Sequence, residues 1–433
     1  MVLVSATKKK QIAIALAILI LIAIIAGYFA YQAYFKPAPK IEAVKVGVLL
    51  PLTGPASKEG WWARHAIELA IEHINRAGGV KSLGGAKLVP IIADTAGKPE
   101  TGMAEAERLI NVEKVHVLTG CYQSAVTLPV AGVAEKYKMP FMVADAISDK
   151  ITEQGYKYVF RIHGKASWYG RDAVQFLIDM NKKYGTNFKT IGLIYEDDEF
   201  GKSTAVGFKD YLTKMAPDYK VVIEESYPLA AADLTPLVTK LKSADPEILL
   251  HVAYVSDALL FVRTMKTLDW YPKAYVGIGA AGQSHGDFIA GLGKDSEYVF
   301  TQTEWQADLL TSPKMKDFAW INDEFKKKAG DEMTGIPADC YSSTWVLYYA
   351  IEKAGSLDPE KVRSSLASIV ISLPSKEVNV VLPYSKIDLT KEGQNPYTAI
   401  CVAQIRGGKF RIVWPTEYAT IEATWPAPTW SKR

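Results

Sequence analysis

The feature that most constrains this chain is an alternation of short apolar runs and amphipathic helical stretches. It begins at Val44 and starts over near residue 163. Val44–Leu50, Leu88–Ala93, Val115–Thr119 and Phe141–Val143 read as strands. Gly60–Asn75, Glu100–Asn111 and Ala125–Tyr137 read as the helices between them, the first stopped by Gly78-Gly79. Such strand–helix–strand repetition lays the strands parallel and covers both faces of the sheet with helices. The second round opens with strand Tyr158–Ile162 and helix Trp168–Met180. It runs on through strands Thr190–Tyr195, Tyr219–Glu224, Glu247–Val252 and Ala274–Ile278, with helices Gly201–Lys214, Leu234–Lys242 and Asp257–Leu268 between them. Two α/β lobes are therefore expected, with a break near His163–Ser167, and 433 residues are ample for both. After strand Tyr298–Thr303 come helices at Lys314–Lys328 and Cys340–Lys353, then a hairpin of Ala399–Ile405 and Lys409–Trp414 turning at Gly407-Gly408. No repeat of solenoid period is visible.

In front of this body lies Gln11–Phe35, a stretch without a single charge. As a helix it would be about 37 Å long, enough to cross a hydrocarbon layer with tilt. Lys8, Lys9 and Lys10 precede it, which places the first residues in the cytoplasm and the body outside. Tyr28, Tyr31 and Tyr34 fall at the outer edge, where amphipathic rings favour the interface. A cleaved secretory signal has a shorter apolar core and ends in small residues, whereas this run ends in Tyr-Phe-Lys-Pro. A leader cut near Lys10-Gln11 is the other alternative. Lys36–Lys40 reads as a short, stiff, proline-containing tether.

The formal charge is +3, and the three lysines before the apolar run account for all of it. A neutral body excludes a nucleic-acid partner. Cys121, Cys340 and Cys401 have no close spacing, and His65 and His73 lie outside any HExxH pattern, so neither a metal site nor any cofactor is expected.

In open parallel sheets ligands bind at the carboxyl ends of the strands. There the chain places Pro51–Gly60, Gly120–Ser124, Ala144–Ser148, Glu196–Gly201, Ala253–Ser256 and Gly279–Ser284. Ser124 starts a helix, whose free N–H groups and dipole favour a carboxylate. Asp145, Glu196, Asp197 and Asp198 offer counter-charges to an ammonium group, and Tyr122, Trp168, Tyr169, Phe200 and Tyr254 offer flat apolar walls. A zwitterion with an apolar side chain meets all three features. Each residue alone has a plainer reading: Ser124 as a helix cap, Asp197-Asp198 as a solvated turn, the aromatics as core. Their recurrence at one end of successive strands favours the site. Gly277-Ile-Gly-Ala-Ala-Gly282 matches the dinucleotide fingerprint, but it lies deep in the second lobe and outside the cell. An NAD-dependent oxidoreductase is accordingly the weaker alternative, and no enzymatic activity is expected.

Lys45–Pro55 and Ala63–Gly79 resemble the opening of the leucine/isoleucine/valine-binding protein family, the type 1 periplasmic binding fold of ABC importers. The likeness continues through Asp94-Thr95, Gly120 to Ser124, Pro129, Gly155–Arg161, Glu199–Gly201 and Pro246–Tyr254. It implies two lobes closing like a flytrap about crossovers near His163–Ser167, Thr301–Trp305 and Pro383–Leu389. The division it implies is residues 1–35 as anchor, 36–43 as linker, 44–164 with 304–385 as the first lobe, and 165–303 with 386–433 as the second. It further implies that Ser124 holds a ligand carboxylate, aided by the loop Asp145, Ala146 and Ile147, and that Phe200 and Tyr254 line the second lobe. The position of the family's amine-binding glutamate falls at Gly279 or Ala280, and a first-lobe disulfide is missing. The expected function is an extracellular receptor passing a branched-chain, apolar or aromatic amino acid to an ABC transporter permease. A receptor for a small carboxylic acid or amide, and a surface assembly protein on the same fold, are the alternatives.

Overall fold

The computed structural model describes residues 2–34, 41–280, 282–375, 378–390 and 392–432. The tether Lys36–Lys40 and Ala281 of the glycine motif lie outside them. The chain forms two units, residues 1–42 and 43–433. In the first, a helix runs from Val2 to Tyr34. Its segment Lys8–Phe29, with mean hydropathy 2.9, is long and apolar enough to cross a membrane.

In the second unit the apolar runs pair as strands, because a run buried on both faces of a sheet carries no polar alternation. In chain order they are β1 (Ala43–Leu50), β2 (Lys87–Asp94), β3 (Val117–Gly120), β4 (Phe141–Val143), β5 (Val159–Arg161), β6 (Thr190–Glu196) and β7 (Lys220–Tyr227). They continue as β8 (Ile248–Val252), β9 (Ala274–Gly277), β10 (Phe300–Thr303), β11 (Val370–Ser372), β12 (Lys386–Asp388), β13 (Cys401–Ile405) and β14 (Phe410–Trp414). Among the described residues one sheet has the order β2-β1-β3-β4-β5, a second β14-β13-β10-β9-β8-β6-β7, and a third pairs β11 with β12. The first sheet is wholly parallel. The second is parallel from β7 to β10 and closes with antiparallel β13 and β14. The expected hairpin is thus the far edge of the second sheet.

Helices Ser57–Arg76 and Gly335–Ala354 pack together, as do Pro99–Asn111 with Ser124–Lys136 and Ala166–Tyr184 with Glu199–Met215. The last pair approaches through glycine. A Cβ on Gly170 would lie 2.4 Å from the Phe208 amide nitrogen, and one on Gly207 would lie 2.5 Å from the Ser167 Cα. Around β10 the second core gathers Phe176, Phe300, Trp414 and Trp425, so the C-terminal tail is anchored in that lobe.

Two expected helices differ from the fold. The stretch Lys314–Lys328 is a 3₁₀ turn at Lys316–Phe318 followed by a helix only from Ala319 to Ala329. The helix expected from Cys340 starts a full turn earlier, at Gly335, because Pro337 falls in its first turn, where proline costs no hydrogen bond.

The passages between the sheets are stitched to one another. Gly164 N–H donates to the Glu304 carboxylate at 2.7 Å, tying the first passage to the second. Gln394 donates to the His163 carbonyl at 2.8 Å and Asn395 to the Ile162 carbonyl at 3.1 Å, tying the third to the first. Gln394 still bridges β5 and Cys401 already opens β13. The third passage is therefore 395–400, downstream of the expected Pro383–Leu389.

Candidate functional site

The two sheets direct the carboxyl ends of their parallel strands at each other. From the first come Tyr122 and Ser124 after β3, and Asp145 and Ile147 after β4. From the second come Phe200 after β6, Tyr254 after β8, and Gly279 and Ala280 after β9, with Tyr169 from helix Ala166–Tyr184. Together these nine residues line a cavity of about 20 Å³, room for about one water molecule. No lysine or arginine lines it.

Local backbone conformation aims these side chains. Gly120 has φ +110° where a Cβ would lie 2.3 Å from the Leu49 carbonyl oxygen, and Cys121 follows at φ 45°. This turn frees the chain from β3 and starts helix Ser124–Lys136 at the cavity. Ser124 is not the cap; Gln123 precedes the helix, and its carbonyl accepts from the Val126 and Thr127 N–H groups. The buried Ser124 hydroxyl accepts instead from the Ser148 N–H at 3.2 Å, which joins the β3 and β4 loops. Helix geometry leaves the N–H groups of Ser124 and Ala125 directed at the cavity end.

The second lobe contributes a stack. Tyr254 packs on Phe200 with ring centroids 5.3 Å apart and on Tyr122, across the cleft, at 5.5 Å. Gly279, at φ +81°, passes so close to Phe200 that a Cβ would lie 3.1 Å from its ring. The acidic run expected to meet an ammonium group does other work. Glu196 accepts the Tyr254 N–H at 2.6 Å. Asp198 caps its helix through the Gly201 N–H at 2.8 Å and takes the Tyr254 hydroxyl at 3.2 Å. Asp197 is exposed and paired with Lys202. These carboxylates hold the Tyr254 loop and stand outside the lining.

Two further expected residues lie outside it. Ala146 is buried in the first core, and its carbonyl accepts from Arg161 at 3.0 Å. Trp168 is half-buried with the Lys165 ammonium 5.3 Å above its ring. Its neighbour Tyr169 faces the cavity instead, because successive helical residues point about 100° apart.

Sequence reasoning missed what surrounds Asp145. Its carboxyl lies within hydrogen-bond reach of that of Asp339, buried near the start of helix Gly335–Ala354. Next to them Glu304, wholly buried, accepts from the Tyr169 hydroxyl at 2.6 Å and from Gly164 N–H. Burial holds all three carboxyls above their ordinary range. The mutual charges of Asp145 and Glu304 push Asp339 further in the same direction. An isolated acid inside the apolar Ile336–Ser343 stretch was the one available signal.

The lobes also touch directly. Glu59 of the first accepts the Val255 N–H at the start of helix Val255–Thr267 of the second, at 3.3 Å. Burial raises its carboxyl to about 7, against the pull of that hydrogen bond. Ser148 donates to Glu199 at 2.7 Å, and Lys150 pairs with the same carboxylate at 3.0 Å. The cleft is shut. The glycine motif serves packing: a Cβ on Gly282 would lie 2.4 Å from the Val255 amide nitrogen, and the next helix begins only at Gly286.

The family model that matches is "Periplasmic binding protein", over residues 43–409. Leu/Ile/Val-binding protein homolog 7 of Brucella abortus is 28% identical over 400 residues, covering 90% of this chain and 96% of that one. Among solved structures, the leucine-binding protein LivK of Thermotoga maritima aligns with TM-score 0.72 at 22% identity, over 86% of this chain and 97% of its own. A solute-binding protein of an ABC transporter from R. palustris, in complex with benzoate, aligns with TM-score 0.74 at 19% identity, over 86% and 95%.

Proposed function

Because the chain belongs to the periplasmic binding protein family, we propose that it captures a small amino acid outside the cytoplasm and hands it to an ABC importer. One observation carries this reading. A helix start at Ser124, a carboxyl at Asp145 and an aromatic stack of Tyr122, Phe200 and Tyr254 converge on one cavity between the lobes. The helix start suits the α-carboxylate, Asp145 suits the ammonium, and the stack suits a branched, apolar or aromatic side chain. With about 20 Å³ enclosed, such a ligand enters only when the lobes part about their three passages. The first lobe then comprises 44–164 with 304–394, and the second 165–303 with 401–432.

The benzoate complex of the R. palustris protein supports a second reading, a receptor for a small aromatic or aliphatic carboxylic acid. Calorimetric titration of the full chain in detergent with leucine, phenylalanine, benzoate, 4-methylpentanoate, 3-phenylpropanoate and urea separates the two. The amino acids bind best in the proposed reading; tighter binding of the bare acids would replace it. Ser124→Ala weakens either class by about 10- to 150-fold, the worth of one hydrogen bond to a charged group at about 1.5–3 kcal/mol. Unchanged affinity would remove Ser124 from the site.

The segment Lys8–Phe29 serves as an uncleaved membrane anchor in this proposal. Mass spectrometry of the protein from native membranes then finds peptides upstream of Gln11. A mature start downstream of Ala33 would make the segment a signal.

A further inference from the structure

The carboxyl cluster behind the cavity has no positive charge of its own. Asp145, Asp339 and Glu304 come from the loop after β4, from helix Gly335–Ala354 and from the end of β10, so no single element dictates their meeting. Asp145 and Asp339 stand within hydrogen-bond reach of each other, and because an ionised carboxylate only accepts, the two can bond only if one of them carries a proton. Asp339 Oδ1 and Glu304 Oε2 are buried without a hydrogen-bond partner. Among the described residues the one cation close by, Arg161, spends its guanidinium on Gln394, Thr152 and the carbonyls of Ala146 and Ser148, and on none of the three acids. The other titratable groups facing the cluster are the phenols of Tyr122 and Tyr169, the thiols of Cys340 and Cys401, and His163. Burial keeps each of them neutral: the phenols and thiols are raised, the imidazole depressed.

Resting on the amino-acid reading above, we propose that the ligand's ammonium group displaces a proton from the Asp145–Asp339–Glu304 cluster, so that capture exchanges one cation for another. The ammonium stays protonated and pairs with Asp145, and the displaced proton leaves to water. Glu304 carries the change to the passages between the lobes. It accepts from Gly164 in the first passage and from Tyr169 on the cavity wall, while the one proton released comes from the Asp145–Asp339 pair beside it. The sign of the pH dependence follows. The ligand-free, shut cleft holds protons above the ordinary carboxyl range, so an ammonium ligand binds more weakly as pH falls through the raised values. A bare carboxylic acid finds the protonated cluster easier company and shows no such loss.

The test is calorimetry on the full chain in detergent near pH 7, in pairs of buffers of different ionisation enthalpy. Leucine and phenylalanine are set against 4-methylpentanoate and 3-phenylpropanoate. The amino acids release close to one proton and the deaminated acids none, and Asp339→Asn lowers the protons released per amino acid bound. Infrared difference spectra on the wild type provide a readout that needs no variant: a protonated-carboxyl band disappears when leucine is added. Amino-acid binding whose enthalpy is independent of buffer, with that band unchanged, overturns the exchange and leaves the amino-acid reading intact. Binding of the deaminated acids alone overturns both.

Discussion

Asp145→Asn abolishes most of the affinity for leucine or phenylalanine while leaving the fold in place. The change keeps the size and most of the shape of the side chain but removes the one carboxylate lining the cavity. Truncating one partner of a buried, hydrogen-bonded charge pair costs about 2–5 kcal/mol, or roughly 30- to 5,000-fold in affinity. Stability of the ligand-free protein moves the other way. Asparagine still hydrogen-bonds Asp339, and one of three crowded acids is gone, so the thermal midpoint holds or rises. The deaminated acids bind the variant at least as well as the wild type. Amino-acid affinity within a few-fold of wild type would show that Asp145 does not meet the ammonium.

Arg161→Met destabilises the protein by about 3–5 kcal/mol, as expected for breaking a buried charged network by removing one member. The Arg161 side chain is fully buried and donates to Gln394 at 2.6 Å, to the carbonyls of Ser148 at 2.9 Å and Ala146 at 3.0 Å, and to Thr152 at 3.0 Å. Burial lowers its pKa to about 10, against the attraction of Asp149, Glu304 and Glu153, so it remains charged at neutral pH. Methionine fills the volume but strands these acceptors without water. Arg161→Lys does not rescue, because a single ammonium cannot span acceptors arranged for a planar fork. Urea unfolding of the full chain in detergent, followed by tryptophan fluorescence, gives the measurement. A loss below about 1 kcal/mol would mean that the loop from Asp145 to Ser148 is held by other contacts.

These two residues differ in how far they could be read in advance. Asp145 follows an apolar run in a strand–helix alternation, so its place at a strand end is legible from local pattern alone. Arg161 closes β5 like any strand-end charge, and nothing nearby in the chain announces its four acceptors. Trp168 and Tyr169 make the same point at finer scale. Both read as aromatic walls, but the phase of helix Ala166–Tyr184 turns only Tyr169 to the cavity. Asp198 and Glu196 read as counter-charges, yet β8 brings Tyr254 against them and uses both as acceptors.

Two lobes, the order of most strands and helices, and the edge at which a site must form all follow from local pattern. Strand and helix periods are local properties, and parallel strands all end on the same side of a sheet. The charge-free segment before the body is legible in the same way. Which acids meet depends instead on contacts between distant segments. Asp145, Glu304 and Asp339 are far apart in the chain, and no pairwise pattern links them. They meet because the second passage between the lobes and the helix Gly335–Ala354 both fold back against the first sheet. Burial then sets their chemistry, since withdrawing Asp339 and Glu304 from water beside half-buried Asp145 is costly unless protons or a ligand's cation replace it.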